Sequence, residues 1–421
     1  MTSAPPTATA PPSVLSRRLI LLLALACGVA VANVYFPQAI SPSIAKGLHV
    51  SASSATLVVT CAQVGYAIGI FFLVPLGDRL RHRRLIPTLL LITCAGLLVA
   101  GTATGLTVLA LASALVGAAT VVPQIIIPMA AGLTPPERRG AVTGTLLSGL
   151  IGGILLARTF SGTLGDWLGW RAPYLVAAAL VLLLAVAMAV TVPATSPSTG
   201  QRYPQLLAAS WKLLRSEPLL RRSCTYQALV FAAFSAAWTA LALLVTGPHY
   251  HLGTPAVGLL ALVGAGSMFA TPIAGRRTDS DGPDRVNLVC MIGAVAAAAL
   301  LLTGSLGGAV GLIGLGAGML LLDVAMQSGQ VANQARIFAL RPEARARLNT
   351  AYMTCAFLGG SAGSWLGVRA YTQWGWNGVC GLIAVLAAAA LARHLLRRPQ
   401  PAAQATAAAE PLAQDGVPAG R

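Results

Sequence analysis

Residues 65–85 read GYAIGIFFLVPLGDRLRHRRL. This stretch is an apolar helix that ends at Gly77-Asp78-Arg79 and is followed at once by a cluster of basic side chains. A weaker copy of it lies in the second half of the chain. Four positions of the first copy, Gly69, Phe72, Pro75 and Arg79, match Gly266, Phe269, Pro272 and Arg276 of the second. A repeat at nearly half the chain length predicts two similar halves.

The composition predicts a membrane protein. Charged residues make up 9% of the 421 residues, whereas a soluble domain has about 25%. Hydrophobic residues make up 56%, and the mean hydropathy is +0.76. Because a soluble fold could not bury so much apolar surface, we expect a polytopic protein whose surroundings are the lipid bilayer.

The net charge of +17 has to be interpreted from where the charges lie. Nearly all of the 28 Lys and Arg residues fall in the tails or at one set of alternate span ends; the exceptions are Lys46, Arg158, Arg171 and Arg369. The positive-inside rule assigns that side to the cytoplasm. No basic stripe is interleaved with stacking aromatic residues, so a nucleic-acid partner is not expected.

Twelve apolar runs have about the 20 residues that a membrane-crossing helix needs. We number them as spans 1 to 12: 19–40, 55–76, 87–103, 106–130, 140–164, 172–193, 224–246, 256–275, 287–304, 309–335, 349–371 and 377–395. Span 1 also resembles a cleavable signal peptide, but its apolar character continues through Val34-Tyr35-Phe36, so we expect it to be retained. An even number of spans places both termini on the basic side.

These spans predict five regions along the chain. They are a disordered tail (1–18), a six-helix bundle (19–194), a basic linker (195–222), a second six-helix bundle (223–396) and a second disordered tail (397–421). Within the linker, Leu206 to Leu214 is predicted to form an amphipathic helix. No phosphate-binding loop, paired carboxylates or nucleophile motif is present. We therefore expect no enzyme activity, no catalytic residue, no metal and no cofactor.

Three motifs resemble the major facilitator superfamily. Pro75 to Arg84 (PLGDRLRHRR) resembles the signature between helices 2 and 3 of that family, with Val74 and Arg81 where glycine is usual. Ala32 to Gln38 (ANVYFPQ) is similar to the first helix of bacterial efflux-type members, the drug:proton antiporter-like branch. A pattern on helix 5 of proton antiporters is partly matched by Gly144, Gly152 and Gly153, with Ser148-Gly149 in place of Gly-Pro.

The resemblance implies an all-α fold of twelve transmembrane helices in two six-helix, pseudo-symmetric halves. It further implies that helices 1, 4, 7 and 10 line a central cavity. Asn and Gln are costly in lipid and are expected to face inward. The predicted substrate-binding residues are Asn33, Tyr35, Gln38, Gln124, Arg158, Gln227, Trp238, Gln327 and Gln330. Tyr35 and Trp238 have the alternative of being interfacial or packing aromatics.

Asp323 is the only acidic residue deep inside a span. Placing a carboxylate there costs roughly 2.5–3.5 kcal/mol on insertion scales. Gln327, Gln330 and Gln334 follow on the same helical face, which must contact water or a partner. Since burial disfavours the charged form, Asp323 is predicted to couple transport to protons. It has two alternatives: a counter-ion for a cationic substrate, or a hydrogen bond between helices without a transport role.

Two further charged sites are predicted. Arg158, in the outer half of span 5, is expected to bind an anionic substrate group, with pairing to Asp166 as the alternative. Asp78 lies where span 2 leaves the membrane, and the resemblance implies that it caps span 11 near Asn349. Arg79 and Arg83 would complete a gating lock that holds the cytoplasmic side closed. The alternative is that these residues are cytoplasmic anchors.

The sequence therefore predicts a monomeric secondary active transporter, multi-pass in the bacterial cytoplasmic (inner) membrane. Its partners would be a small-molecule substrate and protons, and its function proton-coupled efflux, which is antiport. The alternatives are a facilitator or importer of a sugar, nucleoside or amino acid, a channel, and a membrane sensor or receptor.

Overall fold

A computed structural model describes residues 15–193, 201–341 and 344–396, and in these ranges the chain forms helices and no strand. Eleven segments of the described chain are long and apolar enough to cross a membrane. The last, of 51 residues, is interrupted at Gly375, whose φ of 63° and ψ of −158° are not helical. Spans 11 and 12 are its two arms. The all-α polytopic prediction is confirmed; most of the two predicted tails and residues 195–200 lie outside the described ranges.

The helices follow the numbered spans in chain order. Spans 1 to 6 contain Arg17–Tyr35 and Pro37–Leu48 (span 1), Ala52–Ala55, Leu57–Phe72 and the 3-10 helix Val74–Asp78 (span 2), His82–Gly101 (span 3), Leu106–Ala119 and Val122–Gly132 (span 4), Pro136–Leu168 (span 5) and Ala172–Thr191 (span 6). The second set contains Pro218–Thr246 (span 7), Thr254–Gly264 and Ser267–Asp281 (span 8), Pro283–Leu302 (span 9), Gly308–Leu340 (span 10) and Arg345–Leu395 (spans 11 and 12). Between the two sets lies the linker helix, Tyr203–Ser216.

Spans 1, 4 and 8 each contain two α-helices, with breaks after Tyr35, Ala119 and Gly264. Span 1 breaks immediately before Pro37, and span 4 breaks just before Val122-Pro123. Proline has no N–H to donate and crowds the preceding turn, so a new helix begins there. Span 8 breaks at Ala265-Gly266, where two nearby glycines weaken the helix.

The two ends of the bundle differ in charge and in closure. The basic end of the bundle is the end at which spans 2, 4 and 10 finish in arginine-rich turns. The linker helix lies at the same end. At the opposite end the two sets of spans are hydrogen-bonded to each other. Thr254 Oγ1 donates to Gly162 O at 3.0 Å, and Thr159 Oγ1 donates to Gly258 O at 2.9 Å. The bundle is therefore closed at the end opposite the basic one.

Glycines set the closest approach between spans 1 and 5. A Cβ at Gly153 would overlap the backbone of Gly28, and one at Gly149 would overlap the backbone of Ala24. Small residues at a helix interface let two backbones touch, which is how membrane helices gain packing energy without a hydrophobic driving force. Gly152, one residue away, has open space around its Cβ position.

This pair of neighbours provides a stability test. Gly153→Ala is expected to lower the free energy of unfolding by about 1–3 kcal/mol, because backbone atoms of span 1 cannot move aside as a side chain could. Gly152→Ala is the matched control and is expected to be neutral or slightly stabilising, since alanine favours the helix. Thermal unfolding of both purified variants in one detergent measures the difference. Equal unfolding midpoints would contradict this account of the interface.

Candidate substrate-binding site

A cavity of about 1040 Å³ lies between the first six spans and the last six. Toward the basic end its wall includes Asp78, Arg139 and Arg345. The linker helix contributes Leu206 and Ser210 to the same region. At the far end the wall is formed by Tyr35, Arg158, Phe234 and Asp323. The cavity thus extends from the basic end of the bundle to the charged side chains of Arg158 and Asp323 near the closed end.

Span 10 presents one polar face to this cavity. Asp323, Gln327, Gln330 and Gln334 all line it, as their helical spacing requires. Three of them are also tied to neighbouring helices. Gln327 Nε2 donates to Ser267 Oγ at 3.0 Å, Gln330 Oε1 accepts from Gln227 at 3.5 Å, and Gln334 Nε2 donates to Asn349 Oδ1 at 3.3 Å. These bonds fix the rotation of span 10.

The carboxylate of Asp323 is held by span 7. Asp323 is 2% exposed, and Trp238 Nε1 donates a hydrogen bond to its Oδ1 at 3.0 Å. On the side of span 8, the carboxylate lies so close to Gly264 that a Cβ there would overlap Oδ2. A glycine at this position therefore leaves the room that Asp323 occupies.

Arg158 lies opposite, on span 5, and is fully buried. Its Nε donates to Gln38 Oε1 at 2.8 Å. Its guanidinium carbon lies 4.0 Å from the ring centre of Trp238 and 5.3 Å from that of Tyr35. Among the described residues, its Nη1 and Nη2 have no hydrogen-bond partner. Asp166, the predicted alternative partner, is exposed and forms no ion pair with Arg158.

Trp238 thus contacts both charged groups, one from each set of spans. Its ring face lies against the guanidinium of Arg158, and its N–H is bonded to the carboxylate of Asp323. A cation over an indole face is attracted by the ring electrons. We call Arg158, Trp238 and Asp323 the charged floor.

The other predicted substrate-binding residues divide into two groups. Gln124 lines the cavity, where its Nε2 donates to Tyr66 Oη at 3.5 Å and its Oε1 accepts from Asn349 at 3.4 Å. Residues of the second group are buried beside the wall and bonded to neighbouring helices: Asn33 donates to Thr120 Oγ1 at 3.3 Å, and Gln38, Gln227 and Trp238 make the bonds given above. Their hydrogen bonds are formed between helices, although Gln38 Nε2 has no partner among the described residues.

The three predicted gating residues lie at the basic end. Asp78 borders the cavity, as does Asn349 at the beginning of span 11. Arg79 is exposed. Arg83 is also exposed, and its Nε donates to Ala189 O of span 6 at 3.2 Å. In this conformation Arg83 is therefore bonded within the first six spans.

Two features were not predicted from the sequence. One is an aromatic wall of Tyr66, Phe231, Phe234 and Phe357, with ring centres 4.5 Å apart for Tyr66 and Phe357 and 5.0 Å for Phe231 and Phe357. The spacing of Phe231, Phe234 and Trp238 on one helical face is the signal that could have found it. The other feature is a cluster in which Arg222 and Arg336 both pair with Asp284.

The space beside Asp323 can be tested by adding one methyl group. Gly264→Ala is expected to push the carboxylate away from the indole N–H of Trp238 and to lower the free energy of unfolding by about 1–3 kcal/mol. Gly275→Ala, in the same span but with open space around its Cβ position, is the control and is expected to be neutral or slightly stabilising. Thermal unfolding measures both, and equal losses in the two variants would contradict the placement of Asp323.

Comparison with known proteins identifies the family. The sequence matches the Major Facilitator Superfamily over residues 20–341. It is similar to the uncharacterized transporter YgaY of Escherichia coli O157:H7, with 38% identity over 375 residues that cover 88% of this chain and 93% of that protein. It is also similar to the protein SCO4007 of Streptomyces coelicolor, with 35% identity over 379 residues that cover 90% of this chain and 87% of that protein.

Among solved structures, the nucleoside transporter NupG has a similar fold. The TM-score is 0.71 at 14% sequence identity, over 89% of this chain and 99% of that chain. At this identity the likeness concerns the fold alone. Together with the family match, the apolar spans and the central cavity, it leads to one conclusion: the chain belongs to the Major Facilitator Superfamily and is a multi-pass membrane transporter, not an enzyme.

Proposed function

We propose that this protein is a proton-coupled secondary transporter of the efflux-type branch that exports a small organic molecule. The observation that carries the proposal is the charged floor, in which a carboxylate from the last six spans and a guanidinium from the first six end at one cavity. Groups from both sets of spans change their separation when the sets rock against each other. A bound proton or substrate at the floor can therefore bias that motion.

Asp323 is the proposed proton site. When it is ionised it attracts Arg158 across the floor, and the two charges interact electrostatically in the observed conformation. When it is protonated that attraction disappears. Protonation therefore changes the relative free energies of the two cavity orientations, which is what coupling requires. If a substrate and a proton use Asp323 in turn, an inward proton gradient drives the substrate outward.

The proposed orientation follows from the positive-inside rule. The basic end faces the cytoplasm of a bacterial inner membrane, and both termini lie on that side. The cavity then opens inward in this conformation and can receive substrate from the cytoplasm. The protein would work as a monomer, because the cavity and its floor are made by one chain.

Substrate-binding roles are proposed for Tyr35, Gln124, Arg158, Gln327 and Gln330, which line the cavity. Asn33, Gln38, Gln227 and Trp238 would act indirectly, because they hold wall residues and helices in place through the hydrogen bonds described above. Substitution of this second group should affect binding through geometry.

Asp78, Arg79 and Arg83 are the proposed gate. When the cavity closes at the basic end, Asp78 would approach the amino end of span 11, where free N–H groups and the helix dipole favour a negative charge. The two arginines would complete the lock. In the observed conformation Asp78 and Asn349 both border the cavity.

The gate can be tested by measuring distances at the basic end. Asp78→Asn removes the charge that favours the closed gate and is expected to reduce the population with a short distance between spin labels at positions 138 and 280, in a cysteine-free background. A loss of about 1 kcal/mol, typical of a charge at a helix terminus, changes that population ratio about fivefold. The control is Asp279→Asn, an exposed carboxylate at the same end. An unchanged distance distribution in the Asp78 variant would refute the gating role.

Proton coupling can be tested in proteoliposomes with an imposed pH gradient. Radiolabelled L-phenylalanine, uridine and ethidium serve as probes of three substrate classes. Wild-type protein is expected to accumulate at least one probe in the direction opposite to proton flow. Asp323→Asn should lose this accumulation yet keep gradient-free exchange at saturating probe concentration, because its side chain can no longer change charge. Asp279→Asn should behave as wild type.

The other outcomes select the alternatives. Movement of a probe together with protons would indicate an importer. Movement that ignores the gradient would indicate a facilitator. Full gradient-driven accumulation by Asp323→Asn would remove Asp323 from the coupling mechanism.

A further inference from the structure

The charged floor holds two opposite charges that are not paired with each other. Within the described residues, Arg158 forms no ion pair with Asp323. The ring of Trp238 contacts both groups, with its face against the guanidinium and its N–H on the carboxylate. The two poles are therefore separate, fixed and on the wall of the same cavity.

Arg158 has unused hydrogen-bonding capacity. Its Nε is bonded to Gln38, but Nη1 and Nη2 have no partner in the part of the chain that the structure describes. A fully buried guanidinium with two unpartnered nitrogens is costly, and buried polar groups in native proteins nearly always have partners. A guanidinium edge with two parallel N–H groups matches the two oxygens of a carboxylate. The free edge of Arg158 is thus suited to a carboxylate that the chain itself does not supply.

Asp323 provides the opposite pole. Its Oδ1 accepts from Trp238, and a carboxylate oxygen has lone pairs for further donors. A substrate ammonium group is a compact charge with several N–H donors and could bind there. The face of Trp238 is already used by Arg158, so the ammonium would approach Asp323 from the cavity.

The aromatic wall lies next to the floor. Phe234 lines the cavity, and its ring centre lies 5.7 Å from the guanidinium carbon of Arg158. Phe231 and Phe234 stack with ring centres 5.6 Å apart. An apolar or aromatic side chain of a ligand would be buried against these rings while its charged end reached the floor.

We propose that the cavity binds a zwitterion of the amino-acid type, with its carboxylate on Nη1 and Nη2 of Arg158, its ammonium on Asp323, and an apolar or aromatic side chain against the aromatic wall. This inference rests on the proposed transport function for its biological meaning, but the binding itself does not require coupling. Ligands with a single charge fit less well. A ligand with only a negative charge would be repelled by Asp323, and a ligand with only a positive charge would be repelled by Arg158.

The same arrangement explains how a proton could exchange for substrate. Among the described residues, the titratable or charged groups that face Asp323 are Arg158 from span 5 and Tyr35 from span 1. Spans 7 and 8 contribute Trp238 and Gly264, which do not titrate. A proton on Asp323 abolishes the attraction for the ammonium group. The proton and the zwitterion therefore compete for Asp323. Export driven by proton entry requires this kind of competition.

The test compares three ligands that share one side chain. L-phenylalanine is the zwitterion, its methyl ester the cation and N-acetyl-L-phenylalanine the anion. Binding to purified full-length protein is measured by calorimetry at neutral pH, without a membrane or a gradient. The zwitterion is expected to bind on the order of 10–100-fold more tightly than either analogue, because each loses one charge-assisted contact.

Two variants assign each pole. Arg158→Gln should weaken the binding of L-phenylalanine on the order of 10–100-fold, and the methyl ester should bind as tightly as to wild type or more tightly. Asp323→Asn should weaken the binding of L-phenylalanine by a similar factor, and the N-acetyl compound should bind as tightly as to wild type or more tightly. Asp279→Asn is the control and should bind as wild type does. The comparison of ligands on wild-type protein remains decisive if a variant does not fold.

Three results would overturn the inference: no binding of L-phenylalanine to wild-type protein at high millimolar concentration, equal or tighter binding of a singly charged analogue, or loss of both analogues together with the zwitterion in either variant. Failure of the proposed function is separate. Selective zwitterion binding combined with transport that ignores a pH gradient would keep this site and remove proton coupling.

Discussion

The central constraint on this structure is the presence of two opposite charges inside an apolar helix bundle. Transferring an ionised side chain from water into a medium of low polarity is expensive unless nearby groups compensate it. Here Gln38, Tyr35 and Trp238 surround Arg158, and Trp238 bonds to Asp323. The compensation is incomplete, because two guanidinium nitrogens have no partner among the described residues. The unpartnered nitrogens of Arg158 are suited to binding a ligand, and the carboxylate of Asp323 is suited to a change of protonation.

The charges also lie where the two sets of spans meet. Near the closed end, hydrogen bonds such as Thr254 to Gly162 join the sets directly. Toward the basic end the cavity lies between the sets, and a bond of 3.4 Å from Asn349 to Gln124 crosses it. The floor lies between these regions. Close backbone packing within each set, as between Gly28 and Gly153, makes the sets stiff, so that a change at the floor is converted into relative motion of whole bundles rather than absorbed locally.

The sequence predicts the fold well because the fold depends on average properties. Apolar runs of sufficient length, the repeated turn around Asp78 and the distribution of arginines together indicate twelve helices, and the polar face of span 10 follows from helical spacing alone. It does not predict the breaks in spans 1, 4 and 8, which lie inside continuous apolar runs. Nor does it distinguish Gln124, which lines the cavity, from Asn33, which bonds to Thr120. Both residues only have to avoid lipid, and the choice between water and a neighbouring helix depends on tertiary packing.

The most direct test of the charged floor is a double-mutant cycle between Arg158→Gln and Asp323→Asn, measured as the free energy of unfolding in mixed micelles. Each single substitution leaves one buried charge without its opposite, whereas the double variant removes both. If the two charges stabilise each other, the double variant should be more stable than the sum of the single effects predicts, with a coupling free energy of about 1–3 kcal/mol. Additive effects, equal to the sum within about 0.5 kcal/mol, would show that the two groups do not act as one site.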